Sequence, residues 1–348
     1  MAHNPFEIQS LPAPSPDFKH LLKVLRGETP DRPTLFEFFL NGPLYRRLAE
    51  TTGLTVAGAP EWLVTQRGFY AAGYDYATTH VPNFEFAVGA QEKASSLSLN
   101  KGVIITDRAS FDTYAWPDPA LADYDHLDTA AATLPAGMKL IVPGPFGVLE
   151  NVIRLVGYEN LCLMILDDEQ LVYDIFERVG GRLARFYQLA APRPGVGACI
   201  SNDDWGFNTQ TMLSPDDMRR FVFPWHKRIV ESIHAAGKPA ILHSCGYYGE
   251  IMDDIVEEMK YDGRHSYEDT IIPVEKAYDD LRGRIAVLGG IDVDYICRHS
   301  PREVFDRARK MVEKGQAGGY ALGTGNSVPE YVPDEAYLAM ILAAVADR

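Results

Sequence analysis

The stretch at 238–250 reads KPAILHSCGYYGE and places His243 and Cys245 two residues apart, after an apolar run and before a glycine. In a strand, residues i and i+2 point to the same side, so the imidazole and the thiol share one environment. Both are natural zinc donors, and catalytic zinc sites take three protein ligands and keep a fourth position open. An ion held that way could bind a substrate thiol as thiolate, the form that attacks. The plainer reading makes Cys245 a small buried hydrophobe and His243 a hydrogen-bonded core histidine. Spacing alone favours the plainer reading, and a third ligand has to come from elsewhere in the chain.

What could bring one closer is the order of elements. Eight short apolar runs recur along the sequence: TLFEFF (34–39), YDYATTH (74–80), KLIVPGP (139–145), GACISNDDWG (197–206), PAILHSCG (239–246), DGRHSYED (262–269), IAVLGGID (285–292) and GYALGTGN (319–326). Helical patterns fall between most of them. One runs from an N-cap at Ser214, with Pro215 at the first helical position, to Gly237; others cover 167–179 and 300–314, where SPRE reads as a capping box. Alternating strands and helices imply parallel strands with right-handed crossovers, and eight of them predict an α/β fold of the (β/α)8 TIM-barrel type. A doubly wound open sheet would need a glycine loop at a strand end, and no glycine cluster here has that spacing. The segment 84–118 breaks the alternation and reads as a β-hairpin excursion from a single barrel domain spanning 18–348. Residues 1–17, rich in Pro and Ser, read as a loose leader.

Composition narrows the classes of partner. The formal net charge of −15 over 348 residues argues against nucleic acid and anionic lipid. No apolar run approaches the roughly 20 residues of a membrane span. The N-terminus has neither the basic start nor the apolar core of a secretory signal. Four widely spaced cysteines (Cys162, Cys199, Cys245, Cys297) fit free thiols in a reducing cytoplasm.

In such a barrel, chemistry is carried at the C-terminal ends of the strands. In chain order those ends hold Glu37, His80, the trio Asn202, Asp203 and Asp204, then His243 with Cys245, His265 with Glu268, Asp292 and Asn326. Taken singly, most have a structural explanation. Asp203 or Asp204 could cap a turn, Asp292 could cap a helix, and Glu37 within Leu-Phe-Glu-Phe-Phe is either on a polar face or buried with a partner. Their convergence on one mouth is what gives them weight.

Three segments carry a wider likeness: PGPFGVLENVIRLVGYENL (143–161), the long run from NDDWGFN to LHSCG (202–246), and ALGTGNSVPEYVPDEAYLAM (321–340). From about residue 18 onward the chain resembles the uroporphyrinogen decarboxylase superfamily of (β/α)8 barrels, whose members are often dimers. The decarboxylases of that family work without metal, and the resemblance implies an Arg-x-Ala-Gly-Arg motif near the first strand and an aspartate at the second. Here the first strand runs into FEFFLNGPLYRRL and the second ends YATTHVPNF. The corrinoid-linked methyltransferases have His-x-Cys on one strand and a second cysteine at the end of the last. His243 and Cys245 match the first part, and Asn326 stands at the cysteine position. The resemblance therefore implies a zinc-assisted methyltransferase or demethylase, acting on a small molecule with a corrinoid protein or thiol carrier. Glu37, Asp204, His265 and Glu268 are the candidates for completing the site or for acid–base work. Two alternatives stand beside it: a metal-independent decarboxylase using His243, Asp204 or Glu37, and a non-catalytic corrinoid or tetrapyrrole binder.

Overall fold

The computed structural model describes residues 5–89, 99–100 and 102–347. Seven parallel strands follow one another in chain order: β1 (Tyr76–Thr78), β2 (Lys139–Pro143), β3 (Val196–Asn202), β4 (Ala240–His243), β5 (Gly263–His265), β6 (Ala286–Leu288) and β7 (Tyr320–Ala321). The expected first run joins this sheet through a parallel bridge between Leu35 and Leu322, with Phe36 N–H donating to Leu322 O and Leu322 N–H to Thr34 O. All eight expected runs thus take part, and the fold is a (β/α)8 barrel. Between the first run and β1 a side chain does the joining. The Tyr76 hydroxyl accepts from Glu37 N–H at 2.6 Å and donates to Glu37 O at 2.5 Å.

The strands are shorter than their apolar runs, because the run ends peel away from the ladder to form the mouth. Register sets what meets there: Asn202 pairs with His243, and His243 with His265. After Cys245 the chain turns at Gly246, whose φ is +85° and whose missing Cβ would lie 2.0 Å from Gly206 O. Only glycine fits such a left-handed close approach.

Helix starts agree with their capping residues. Ser300 accepts from Glu303 N–H and Glu303 reaches back to Ser300 N–H, and Ser214 accepts from Asp217 N–H at 3.1 Å. The expected helix after Ser214 is divided, with a π-helical turn over Met218–Val222 before the α-helix Phe223–Ala235. Pro224 is the cause: its ring would collide with the carbonyl four residues back, and a widened turn accommodates it. The pattern seen at 167–179 extends to a 22-residue helix, Glu169–Ala190, capped by Asp168.

The expected hairpin excursion at 84–118 forms no strand ladder among its described residues; residues 90–98 and 101 lie outside them. Instead Asp107 and Ser110 build a capping box that starts the short helix Arg108–Thr113. Of the expected leader, the described residues 5–17 lie along the barrel, with the Phe6 ring 5.8 Å from that of Phe305 and Asp17 N–H donating to Asp75 Oδ1. No helix among the described residues is long and apolar enough to cross a membrane.

The two adjacent aspartates at the end of β3 part company. Asp203 is fully buried and caps the helix Val148–Val156 from outside it, accepting from Leu149 N–H and Glu150 N–H at 2.9 Å each. Its Oδ2 also pairs with His226 Nε2 at 2.8 Å. The helix's own N-cap is Gly147, where a Cβ would lie 2.1 Å from the Asp203 carboxyl carbon. Removing a buried, triply bonded carboxylate strands its partners, so Asp203→Ala is expected to lose about 3–5 kcal/mol in urea denaturation. Asp204→Ala, losing one backbone bond at the mouth, should lose about 1 kcal/mol.

Candidate metal centre at the barrel mouth

Asp204, His243 and Cys245 each offer one ligand atom, and those atoms lie within 4.8 Å of one another. Cys245 Sγ is 3.8 Å from His243 Nε2. A tetrahedral zinc with arms of about 2.0 and 2.3 Å would hold such a pair about 3.5 Å apart, so a shift of a few tenths of an ångström closes that pair, whereas a separation as wide as 4.8 Å would have to close by about 1.3 Å. Asp204 also accepts from Cys245 N–H at 3.0 Å, which ties the carboxylate to the strand end beside the thiol. Imidazole, thiolate and carboxylate form a donor set suited to zinc with one position left for a ligand.

Hydrogen bonds set the tautomer of His243. Thr324 O can only accept, so His265 Nε2, 3.2 Å away, carries a hydrogen. Burial depresses the His265 pKa to about 3, so the ring is neutral and its Nδ1 is an acceptor. His243 Nδ1 lies 2.7 Å from that nitrogen and must donate to it. His243 Nε2 is left with a bare lone pair beside Cys245, the form a metal needs. His243 itself is held well below its ordinary pKa by burial, by His265 and by the Arg264 cation.

A second chain of bonds supports the last-strand loop. Burial raises the Glu37 carboxyl to about 8. Glu37 Oε1 accepts from Thr324 N–H at 2.6 Å, and Oε2 lies 2.7 Å from Thr324 Oγ1. Thr324 Oγ1 is also bonded to Asn326 O, which can only accept. One hydroxyl hydrogen cannot serve two acceptors, so a protonated Glu37 completes the chain by donating to Thr324 Oγ1.

Asn326 is oriented by its Oδ1, which accepts from Ser327 N–H at 2.7 Å, so its amide hydrogens face Cys245 Sγ at 3.2 Å. The residue at the expected cysteine position is thus a donor to sulfur, not a ligand of the ordinary kind. Burial raises the Cys245 thiol, the Asp204 charge adds to this, and the donors Ser266 and Asn326 oppose it. Arg264, fully buried between Tyr248 and Tyr267, donates to Ser244 O and Ser266 O on either side of the thiol.

Above this floor opens a cavity of 710 Å³ whose lining includes His80, Asn202, Asp204, His243, Cys245 and Asn326. Glu37 and His265 lie beneath it, fully buried, and reach it only through Thr324 and His243. Glu268 is not among the lining residues; burial, then Asp292 and Asp204, raise its pKa. Asp292 caps the helix Val293–Arg298. Glu150 and Phe146 do line the cavity, and the sequence reading did not single them out. Both sit in PGPFGVLEN, where the only available signal was their place at the start of a helix. Burial and the nearby Asp203 and Asp204 hold Glu150 well above the ordinary carboxyl range.

A parallel barrel with its polar groups gathered at one mouth defines an enzyme-like α/β scaffold. Residues 122–346 match the uroporphyrinogen decarboxylase (URO-D) family, and the chain belongs to it. Among curated relatives, a methylated-thiol–coenzyme M methyltransferase of Methanosarcina mazei is 25% identical over 56% of this chain, a match spanning 50% of that protein's own length. A uroporphyrinogen decarboxylase of Anaeromyxobacter sp. strain Fw109-5 is 24% identical over 87% of this chain and 90% of its own. A solved methyltransferase structure from Methanosarcina mazei superposes with a TM-score of 0.68 at 14% identity, covering 95% of this chain and 98% of the other.

The buried Glu37 leads to a signed expectation. Its pKa is raised on folding, so the native state holds the proton more tightly and stability falls as pH rises from about 4.5 to about 8. The depressed histidines act in the opposite direction only below about 6.5. Between pH 6.5 and 8, wild type should therefore lose about 2 kcal/mol more than Glu37→Gln in paired urea titrations.

Proposed function

We propose that this chain is a methyltransferase or demethylase that moves a methyl group between a small substrate and a corrinoid protein or thiol carrier, with zinc held by Asp204, His243 and Cys245. The observation that carries the reading is the convergence of those three ligand atoms on the cavity floor, with the His243 lone pair already freed by its bond to His265. When bound, zinc would supply Lewis-acid chemistry and hold sulfur as thiolate. Asn326 would donate to the Cys245 sulfur and lessen its charge, and Thr324 would keep the Asn326 loop and the His265 ring in register. A curated relative and the superposed structure carry methyltransferase names beside relatives named as decarboxylases, and the carboxylate-rich walls favour methyl transfer over decarboxylation of a polyacid. The latter calls for fixed guanidinium forks, and no Arg or Lys is among the described residues lining the cavity. Cytoplasmic location and a homodimer belong to the same proposal.

Zinc analysis of protein purified without chelator is the direct test. About one zinc per chain is expected, with Cys245→Ser and Asp204→Ala each weakening affinity at least about 10-fold and Asn326→Ala keeping full stoichiometry. Well under one equivalent in wild type, or unchanged affinity in Cys245→Ser, would contradict the reading. Light scattering tests the dimer.

A further inference from the structure

The walls of the cavity say more than its floor. Four phenylalanines line it, Phe38, Phe39, Phe84 and Phe146, together with Glu85, Glu150 and Asp204. Two of the rings are committed to packing: Phe84 stacks on Phe186 at 5.4 Å, and Phe38 lies 4.8 Å from the His243 ring. The other two are more exposed, Phe39 at 46% with its ring 5.2 Å from that of Phe38, and Phe146 at 45%. Phe146 is held there at a φ of +62°, a left-handed conformation that a bulky residue rarely adopts and that often marks a working site. It already carries a cation, the Arg154 guanidinium 3.9 Å from its centroid.

Charge makes the same point. If zinc is bound, Asp204 and the Cys245 thiolate cancel the dication. Glu85 and Glu150 both act on the Arg154 guanidinium, and a cation entering beside Glu150 would favour the ionised form that burial and the nearby Asp203 and Asp204 oppose. An arriving cation thus meets carboxyl groups beside the two exposed rings. In addition, Asn202 lines the cavity, and its Oδ1 is buried without a partner among the described residues. Aromatic faces attract organic cations through the ring quadrupole, most strongly where water is excluded.

We propose that the cavity takes a small organic monocation of the quaternary ammonium or sulfonium class, seated against Phe39 and Phe146 with Glu85 and Glu150 as its counter-charges. The inference rests on the methyl-transfer reading in naming this cation as the methyl donor. Transfer breaks the bond between the methyl carbon and the nitrogen or sulfur, and that atom keeps the bonding pair. The nucleophile, a reduced corrinoid or a thiolate, supplies the pair of the new bond to carbon. The atom that keeps the pair becomes a neutral amine or thioether; the thioether loses the attraction of both rings and carboxylates and leaves, whereas the amine regains a cation only by taking a proton from water.

Calorimetric titration with three ligands of one shape tests this: choline, the neutral 3,3-dimethylbutan-1-ol and the anionic 3,3-dimethylbutyrate. Choline is expected to bind at least about 10-fold tighter than the alcohol, with butyrate weakest. Phe39→Leu and Phe146→Leu should each weaken choline about 3- to 30-fold and leave the alcohol within about twofold, a control that also reports folding. Equal or tighter binding of the alcohol or butyrate would overturn the proposal, as would variants that weaken choline and the alcohol alike. Zinc read on the same samples separates the two claims. Weak choline binding to protein carrying zinc rejects the cation class alone. Tight, ring-dependent choline binding to zinc-free protein supports the cation site and rejects the metal reading.

Discussion

The site depends on how one buried threonine is bonded. Thr324 O accepts from Gly290 N–H at 2.9 Å and from His265 Nε2, its N–H donates to Glu37, and its hydroxyl joins Glu37 to Asn326 O. Through these bonds the first run of the barrel, the loop after β6 and the loop after β7 share one arrangement. The tautomer of His243 follows from it, two rings away. So does the approach of the Asn326 amide to Cys245. Because Thr324, Glu37, His265 and Gly290 are buried, an unmet bond among them would carry a full desolvation cost, and the low dielectric strengthens those that are met.

Strain and charge crowding gather at the same mouth. Of four described non-glycine residues with positive φ, Asn83 and Phe146 line the cavity and Ser266 borders Cys245. Arg264 secures the Ser266 turn by donating to its carbonyl. Glu150 sits among other carboxylates where burial and repulsion oppose its ionisation. Such features lower stability and persist where surrounding contacts over-determine them, as the Asp203 cap does for the helix that carries Glu150.

Much of this was legible in the sequence, and the limits have physical causes. The eight strand runs stand out because strands covered on both faces read as unbroken apolar segments. His243 and Cys245 were legible as a pair because strand periodicity is local. Asp204 was named for the site, but the physical reason for preferring it to Asp203 was not legible, because neighbouring residues of one type part only when a distant helix claims one of them. Phe146 and Glu150 lay unread inside a quoted motif, since their role comes from where that helix begins against β3. Glu37 and His265 were read as groups at the mouth. Their side chains lie one layer below it, a depth that depends on how the barrel closes between Leu35 and Leu322. Pro224 could have foretold the π-helical turn, whereas the Asp107–Ser110 box in the segment read as a hairpin is a local signal that extended-looking neighbours concealed.

The central claim is that one thiolate, one imidazole and one carboxylate share a metal on the cavity floor. X-ray absorption at the zinc edge of the purified protein tests it most directly. The account predicts a single sulfur scatterer at about 2.3 Å and a remaining shell of nitrogen and oxygen at about 2.0–2.2 Å, including one imidazole. A shell with two sulfurs, or with none, in the absence of added thiol would contradict it.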